Sequence, residues 1–385
     1  MGLLKKFAAK VIYRTPSLFS MIQLDGSHGE GGGQIVRTAL ALSTITGLPF
    51  EVDSIRKGRC DPGLKSQHLY CVRALQELSG AKEEGAELGS ERIAFYPGKM
   101  KARTLAVDVG TAGSITLLMQ SLLLPAIFGS GTTRLKLTGG TDVSWSQPYD
   151  YFKEVLLPQL SKYCEKLEAR LERRGYYPKG GGIMELLVVP KYKLPDYGSF
   201  QEFWSNLKLN APRIGLMERG NLAIIRGVSH ASADLQKAEV AERQAAAAQR
   251  ALSKLSCPVR INVSYSDSAS TGSGICLWAV FENTHGEVDS INPVMLGSDA
   301  LGKKEKKAEE VGREAAEALI KEIESNAPVD RYLADQLIPF MALAGGTIKA
   351  SEITPHCITN IHVVESFLGK VFEADLENKT IRTMS

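Results

Sequence analysis

The sequence predicts an α/β fold of the mixed α+β type, and three features support that prediction. Short strands alternate with amphipathic helices from residue 21 onwards. Two helices resemble each other, because LLMQSLLLPAIFG and LADQLIPFMALAGG both place a Gln before an apolar stretch that contains Pro and ends in Gly. The segment between them differs in composition and has its own strands and charged helices. We therefore expect repeated units and a smaller inserted α/β domain.

Periodicity and turn residues define the elements one after another. Apolar residues at three- and four-residue spacings predict helices, and runs bounded by Gly or Pro predict strands. In chain order we predict a strand at 21–24, a glycine-rich turn, a helix at 34–46, a strand at 50–55, a helix ending at Gly80, strands at 93–96 and 104–109, and the first of the two similar helices. The inserted segment should contribute an Ala-rich helix near 233–255 and a charged helix near 303–323.

The domain boundaries are expected where the pattern changes near Pro-containing joins. We predict a repeated-unit catalytic domain over residues 21–195 and 327–385, with the inserted domain over 196–326. Residues 1–20 are basic and lack acidic residues, as targeting peptides do, but they have no long apolar core. We interpret them as an extension of unknown role before a second start at Met21.

Composition narrows the class of protein. With 44% hydrophobic and 23% charged residues, the chain reads as a soluble globular protein, and no apolar run is long enough to span a membrane. A net charge of +3 gives no support for extended nucleic-acid binding, so any such site must be local. The six cysteines form no CxxC pair, which favours a reducing cytoplasmic location over a zinc or disulfide framework.

The first candidate cluster is the glycine-dense turn DGSHGEGGGQIVR, which delivers Glu30 and Arg37 at a helix start. Glycines and free backbone N–H groups allow such a turn to approach phosphate closely. The turn matches neither a P-loop nor a dinucleotide fingerprint. A tight structural turn is the alternative.

The second cluster, SIRKGRCDPGLKSQH, contains Arg56 and Arg59 and then Gln67 and His68 on a helix. Arginine's planar fork suits a terminal phosphate. A solvated basic loop is the alternative, although this loop follows a strand as the glycine turn does, so both could open on one edge of the sheet.

The third cluster, SEITPHCITNIHVVESFLG, places His356 after a strand. We predict Thr359 as the N-cap of the following helix, with His356 just outside the helix N-terminus. That position disfavours the protonated imidazole and suits a nucleophile in phosphoryl or nucleotidyl transfer. A structural hydrogen bond is the alternative role, and His362 is expected to pack or lie at the surface. His28, His230 and His285 receive no role.

Together with GTAGSITLLMQ, GGTD, GYYPKGGG and YLADQL, these clusters resemble the RNA 3′-terminal phosphate cyclase family from residue 21 to about residue 372. The resemblance implies βαβαββ-type units, as in enolpyruvyl transferases, with a smaller inserted α/β domain. It also implies that ATP converts an RNA 3′-phosphate end to a 2′,3′-cyclic phosphate through a covalent histidine–AMP and an adenylated RNA end.

The same resemblance assigns roles to residues of this chain. His356 matches the adenylated histidine, and Glu30 matches a ligand of Mg²⁺ or Mn²⁺. The positions that match ATP contacts are Gln120, Tyr332, Leu333, Ala334, Asp335 and Gln336. Those that match contacts to the phosphates or the RNA end are Arg37, Arg56, Arg59, Gln67 and His68. The approach Ile-Thr-Pro-His departs from the family's Pro-Ser-Cys-His type, while the Thr-Asn-Ile that follows keeps the register.

Two other functions compete with this interpretation. A cyclase-like relative assists ribosome assembly without catalysis and lacks the nucleophilic histidine, so His356 argues against it. An enolpyruvyl-type transferase rests on fold analogy alone. Neither a membrane nor an obligate protein partner is expected.

Overall fold

The computed structural model describes residues 21–384. The predicted extension at residues 1–20 lies outside the described residues. Within the described part, no helix combines the length and apolar character that crossing a membrane requires.

The first unit has the order βαβαββ. Its elements are β1 (Ile22–Asp25), α1 (Gln34–Thr46), β2 (Phe50–Asp53), α2 (Ser66–Ser79), β3 (Lys82–Glu84) and β4 (Ile93–Tyr96). The sheet order is β1-β2-β4-β3, with β1 and β2 parallel and the remaining pairs antiparallel. Helices α1 and α2 end where Gly47 and Gly80 adopt left-handed dihedrals that favour glycine. The predicted bounds of α1 are confirmed.

The second unit repeats this topology with a shorter, irregular second helix. It contains β5 (Thr104–Asp108), α3 (Ile115–Ile127), β6 (Thr133–Gly139), α4 (Tyr149–Tyr151), α5 (Leu157–Leu160), β7 (Cys164–Arg173) and β8 (Gly182–Pro190). A single π-helical turn, Phe152–Leu156, joins α4 to α5. The sheet order β5-β6-β8-β7 is the order of the first sheet.

The inserted module forms a separate sheet covered by two helices. After α6 (Phe200–Asn210) and β9 (Ile214–Leu216) come β10 (Asn221–Ser232), α7 (Val240–Leu252), β11 (Val259–Ser266), β12 (Ser273–Glu282), β13 (Met295–Leu301) and α8 (Ala308–Glu324). Both helices begin later than predicted. A short 3₁₀ segment and the left-handed Glu239 precede α7, and an exposed charged turn precedes α8. The sheet order is β11-β10-β12-β13.

The closing segment completes a third unit. It contributes α9 (Arg331–Ala344), β14 (Gly346–Lys349), α10 (Pro355–Leu368), β15 (Phe372–Asp375) and β16 (Thr380–Thr383). β9, which precedes the inserted module, pairs in parallel with β14, so the sheet order β9-β14-β16-β15 again matches the first sheet. The predicted fold of repeated units is therefore confirmed. The two similar helices, α3 and α9, occupy equivalent places, and each has Pro inside it.

The helices of the three units share one apolar core. α1 packs against α3 and α10, and α9 packs against α10. Helix α3 is buried on almost every side, as expected for a helix that is apolar all round. This packing brings the first turns of α1 and α10, which belong to different units, together at one end of these helices, where Gln34 contacts His356.

Candidate active site

His356 lies within the first turn of α10, which corrects the sequence prediction. The N-cap is Thr354, whose hydroxyl accepts the Cys357 N–H at 3.4 Å, and Pro355 occupies the first helical position. Proline is favoured there because its missing N–H needs no partner. Thr359, the predicted cap, instead donates its hydroxyl to the Pro355 carbonyl at 2.9 Å. His356 is therefore closer to the positive end of the helix dipole than expected.

Gln34, in the first turn of α1, holds the Nδ1 atom of His356. Its side-chain nitrogen donates to Asp335 Oδ2 at 3.2 Å and to the His356 carbonyl at 3.3 Å. Because the His356 carbonyl can only accept, the amide presents its oxygen to His356 Nδ1, 2.5 Å away. Nδ1 then carries a ring proton, and Nε2 is the ring nitrogen that faces the site.

The Nε2 nitrogen of His356 faces Glu30 of the glycine turn. Glu30 Oε2 lies 3.0 Å from His356 Nε2 and 3.5 Å from Arg59 Nη2. Burial lowers the pKa of His356; Glu30 opposes this shift, while Arg37 and Arg59 add to it. Since the imidazole side chain remains 46% exposed, it is accessible to a substrate while being held largely neutral.

Two buried donors line the glycine turn and find no partner in the described chain. His68 Nδ1 accepts the Lys65 N–H at 3.0 Å, so its Nε2 carries the proton, and this nitrogen is buried and unpaired. Burial, followed by Arg37 and Arg56, lowers the pKa of His68 well below its usual value. A Cβ on Gly33 would lie 1.9 Å from His68 Nε2, so only glycine fits there. Arg56 Nε is also buried without a partner. Unpaired donors are costly, and they suit an incoming anion.

Arg37 lies between the buried donors of His68 and Arg56 and a cleft between the helices. Its Nε donates to Gln120 Oε1 on α3 at 3.3 Å, and only 8% of the residue is exposed. Burial raises the pKa of Asp335, on α9, to about 7, although Arg37 favours the charged form. The clustered cations and this partly neutral carboxyl leave the site able to accept additional negative charge.

The cleft combines polar side chains with an apolar wall. Residues lining it include Thr38, Gln120, Asp335, Gln336, Phe340 and Asn360. Asn360 accepts the Thr38 hydroxyl at 2.7 Å and donates to the Asp335 carbonyl at 2.8 Å, which ties α1, α9 and α10 together. The cavity volume of the cleft is about 30 Å³, so its lining could form only part of the contact surface of a larger ligand.

The structure brings most of the sequence-predicted residues to this one end. Gln67 lies beside Gly113 of the second unit, since a Cβ on Gly113 would be 3.6 Å from Gln67 Cβ. Tyr332 is 42% exposed, whereas Leu333 and Ala334 are fully buried and can reach a ligand only through their backbone. Sequence reasoning missed Gln34, Thr38 and Asn360. Gln34 had a signal, because it directly follows the glycines and starts the helix that carries Arg37.

Glu30 is suited to hold a divalent ion. Mg²⁺ typically takes one or two carboxylates and completes its shell with water and substrate phosphates. The Glu30 side chain is 34% exposed and lies 3.0 Å from His356 Nε2, so it is open to solvent and to a ligand. The residues present therefore fit Mg²⁺ or Mn²⁺ at this carboxylate.

Comparison with known proteins gives a consistent result. The family model described as RNA 3′-terminal phosphate cyclase matches residues 28–374. Similar proteins with that name come from Pyrococcus furiosus, at 48% identity over 92% of this chain and 95% of the relative, and from Thermococcus onnurineus, at 46% identity over 93% and 96%. A third, from Archaeoglobus fulgidus, is 41% identical over 91% of this chain and 97% of its own length.

Proposed function

The chain belongs to the RNA 3′-terminal phosphate cyclase family, and we propose that it uses ATP to convert an RNA 3′-phosphate end to a 2′,3′-cyclic phosphate through a covalent adenylate on His356. The observation that supports the mechanistic part is the placement of the His356 ring. Gln34 occupies Nδ1 and leaves Nε2 facing an open site, beside Glu30 and near Arg59.

The first step is nucleophilic attack on ATP. His356 Nε2 attacks the α-phosphorus, a P–N bond forms, and the bond to pyrophosphate breaks. The cleft lined by Gln120, Asp335 and Gln336 lies near His356, and these side chains would contact the adenosine. Arg37 and the unpaired His68 N–H would stabilise the charge that develops on the phosphates.

The second and third steps use the RNA end. An oxygen of the 3′-phosphate attacks the adenylate phosphorus, the P–N bond breaks, and His356 is regenerated. The ribose 2′-oxygen then attacks the 3′-phosphorus, its proton is lost, and AMP leaves. This cyclisation is favoured because both reacting groups are on one ribose. Arg56 and Arg59 are the cations placed to orient the terminal phosphate.

A divalent ion held by Glu30 would neutralise charge on the ATP phosphates and on departing pyrophosphate. Glu30 also positions His356 through its 3.0 Å contact with Nε2. We further propose that the protein acts in the cytoplasm. All six cysteines, which lie between residues 60 and 357, are free thiols, as a reducing compartment favours.

Labelling with α-labelled ATP and Mg²⁺ tests this proposal. We expect acid-labile label on the wild type and on His285→Ala, a matched variant of an exposed histidine outside the site, and none on His356→Ala. The same preparations should convert a 3′-phosphorylated RNA to the cyclic form only where label appears. Label on His356→Ala would show that another residue is the nucleophile. A wild-type protein that is folded but takes up no label would favour a non-catalytic role in RNA processing.

A further inference from the structure

Two aromatic side chains stand in solvent on the second unit. Trp145 is 98% exposed and Tyr177 is 77% exposed, the two highest values among Trp, Tyr and Phe in the described part of the chain. Burying such rings normally stabilises a protein, so leaving both exposed contributes nothing to folding. We call the surface formed by Trp145 and the hairpin tip 177–179 the aromatic platform.

The two parts of the aromatic platform are fastened to each other. The backbone N–H groups of Thr141 and Asp142 both donate to the Gly175 carbonyl, at 3.0 and 3.2 Å. Trp145 follows three residues after Asp142, and Tyr177 follows two residues after Gly175. Both residues therefore belong to segments that meet at the Gly175 carbonyl, beyond the carboxyl end of β6.

Each ring is held by a fixed backbone. Trp145 has φ +69°, a conformation that costs free energy in a bulky residue and often marks a functional position. Its segment is anchored where the Thr116 hydroxyl donates to the Gln147 carbonyl at 2.8 Å. The hairpin is closed by Gly180 N–H donating to the Tyr176 carbonyl at 2.8 Å, and Lys179 N–H donates to Ser270 Oγ at 3.0 Å.

The aromatic platform is connected through backbone contacts to Gln67, which precedes His68 on α2. A Cβ on Gly180 would lie 2.5 Å from the Thr111 carbonyl oxygen, so the hairpin and the turn at residues 111–113 are in backbone contact. The same turn touches Gln67 through Gly113. Exposed Arg173 and Lys179 flank the hairpin, and residues 173–182 contain no acidic side chain.

We propose that the aromatic platform binds the single-stranded RNA that leads to the 3′-phosphate, with bases stacked on Trp145 and Tyr177. The inference rests on the proposed function, because an RNA whose 3′ end is in the site must leave in one direction. Exposed aromatics interleaved with cations suit unpaired bases, since every base has a face that stacks and a phosphate that pairs with a cation. The chain's small net charge makes such a local surface necessary.

The test measures binding of a 3′-phosphorylated decanucleotide and of a 3′-phosphorylated dinucleotide to Trp145→Ala/Tyr177→Ala. Fluorescence anisotropy should show about tenfold or greater loss of affinity for the decanucleotide, because stacking is worth roughly 1–3 kcal/mol per base. We expect much less change for the dinucleotide. In turnover the decanucleotide KM should rise far more than kcat falls. Trp145→Phe/Tyr177→Phe should bind like the wild type, as should Leu209→Ala, which alters an equally exposed apolar residue elsewhere.

Unchanged affinity of Trp145→Ala/Tyr177→Ala for the decanucleotide would overturn the proposal. A protein partner would then be the alternative ligand of the aromatic platform. Equal losses for both RNA lengths would also overturn it, because they would place the effect at the phosphate site. Labelling of the wild-type His356 by ATP needs no RNA, so an error in the proposed function would appear in the labelling assay. An error in the proposed RNA-binding role of the aromatic platform would appear only in the RNA binding and turnover assays.

Discussion

At the scale of single residues, burial favours the uncharged forms of two ionisable groups in the site. Burial lowers the pKa of His356 and raises that of Asp335 to about 7. The adjoining guanidinium of Arg37 remains charged although burial lowers its pKa as well. If His356 is the nucleophile as proposed, these shifts favour a neutral imidazole beside a cation that can pair with phosphate.

The Asp335 carboxyl makes the stability of the ligand-free protein depend on pH. Its folded pKa, about 7, lies above its usual value of 3.8, so its favourable contribution is complete below pH 3.8 and is lost as pH rises through 7. Asp335→Asn removes the charge and keeps an oxygen for the Gln34 N–H. We expect the stabilisation of Asp335→Asn relative to the wild type to be larger at pH 8 than at pH 5 by roughly 2–3 kcal/mol, because the folded carboxyl loses its proton between these pH values. Urea denaturation at both pH values measures this.

Asp267→Asn, at an exposed loop position, is the control and should change stability at neither pH. An equal stabilisation of Asp335→Asn at pH 5 and pH 8 would contradict the titration of this carboxyl. If Asp335 contacts the nucleotide as proposed, the same variant should also need more ATP for half-maximal labelling of His356.

The sequence pattern predicted site residues that lie in segments marked by glycine or proline. It did not predict residues whose role depends on hydrogen bonds to distant parts of the chain. Glu30, Arg37 and His356 lie in glycine- or proline-marked segments, so their positions could be predicted. Gln34 and Asn360 are ordinary helix residues by composition. Their importance lies in hydrogen bonds to partners 322 residues away along the chain, which no local pattern reveals.

At the scale of elements, the glycine turn runs along one face of α10. Glu30 contacts His356, a Cβ on Gly29 would lie 2.6 Å from Thr359 Oγ1, and the ring of His28 stacks on His362 with centroids 3.9 Å apart. Positions 356, 359 and 362 recur every three residues, so they share a helix face. The turn is thereby held in register with the helix that carries the nucleophile.

The start of α10 shows how one residue decides a boundary. Two threonines, Thr354 and Thr359, could each cap a helix, and the sequence prediction chose the wrong one. Pro355 settles the choice, because a proline inside a helix is disfavoured and one at its first position is favoured. Capping at Thr354 is what places all three contact positions on helical backbone.

His362 should act as a positioning residue through this stack. We expect His362→Ala to slow the labelling of His356 by ATP roughly fivefold, because the turn that holds Glu30 becomes less fixed. The ATP concentration for half-maximal labelling and the melting temperature should change little. His362→Phe keeps a ring against His28 and should recover most of the rate. Alanine and phenylalanine variants that behave alike would show that the stack does not position Glu30.

At the scale of the whole molecule, a buried charge network joins the inserted module to the second unit. Arg174 contacts Asp142 at 3.0 Å and Asp150 at 2.7 Å. His230 of β10 in the module lies 3.2 Å from Asp142, and its other ring nitrogen is 2.8 Å from the Tyr176 hydroxyl. Burial alone would raise the pKa of Asp142, but Arg174 and His230 bring it below its usual range. Because Arg174 already pairs both carboxylates, the group serves as a link between domains.

This network explains why the order of units was predictable from the sequence and their assembly was not. Alternating periodicity and two similar helices were enough to predict repeats with an insertion. The network draws its members from segments near 142, 174 and 230. The motifs GGTD and GYYPKGGG mark the first two segments, but no local pattern shows that they meet each other and His230. His230, which received no role from the sequence, turns out to contact the second unit rather than the candidate active site.

Removing Arg174 should therefore destabilise the protein more than removing any single surface charge. Arg174→Ala leaves two buried carboxylates unpaired, and we expect the free energy of unfolding to fall by about 3–5 kcal/mol. Arg382→Ala is the matched control, since it breaks an exposed ion pair with Glu373 and should cost less than about 1 kcal/mol. Urea denaturation gives both values. If Arg174→Ala does not fold, Arg174→Lys keeps the charge but cannot span both carboxylates, so an intermediate loss is expected. A loss for Arg174→Lys no larger than that for Arg382→Ala would show that the network does not hold the module in place.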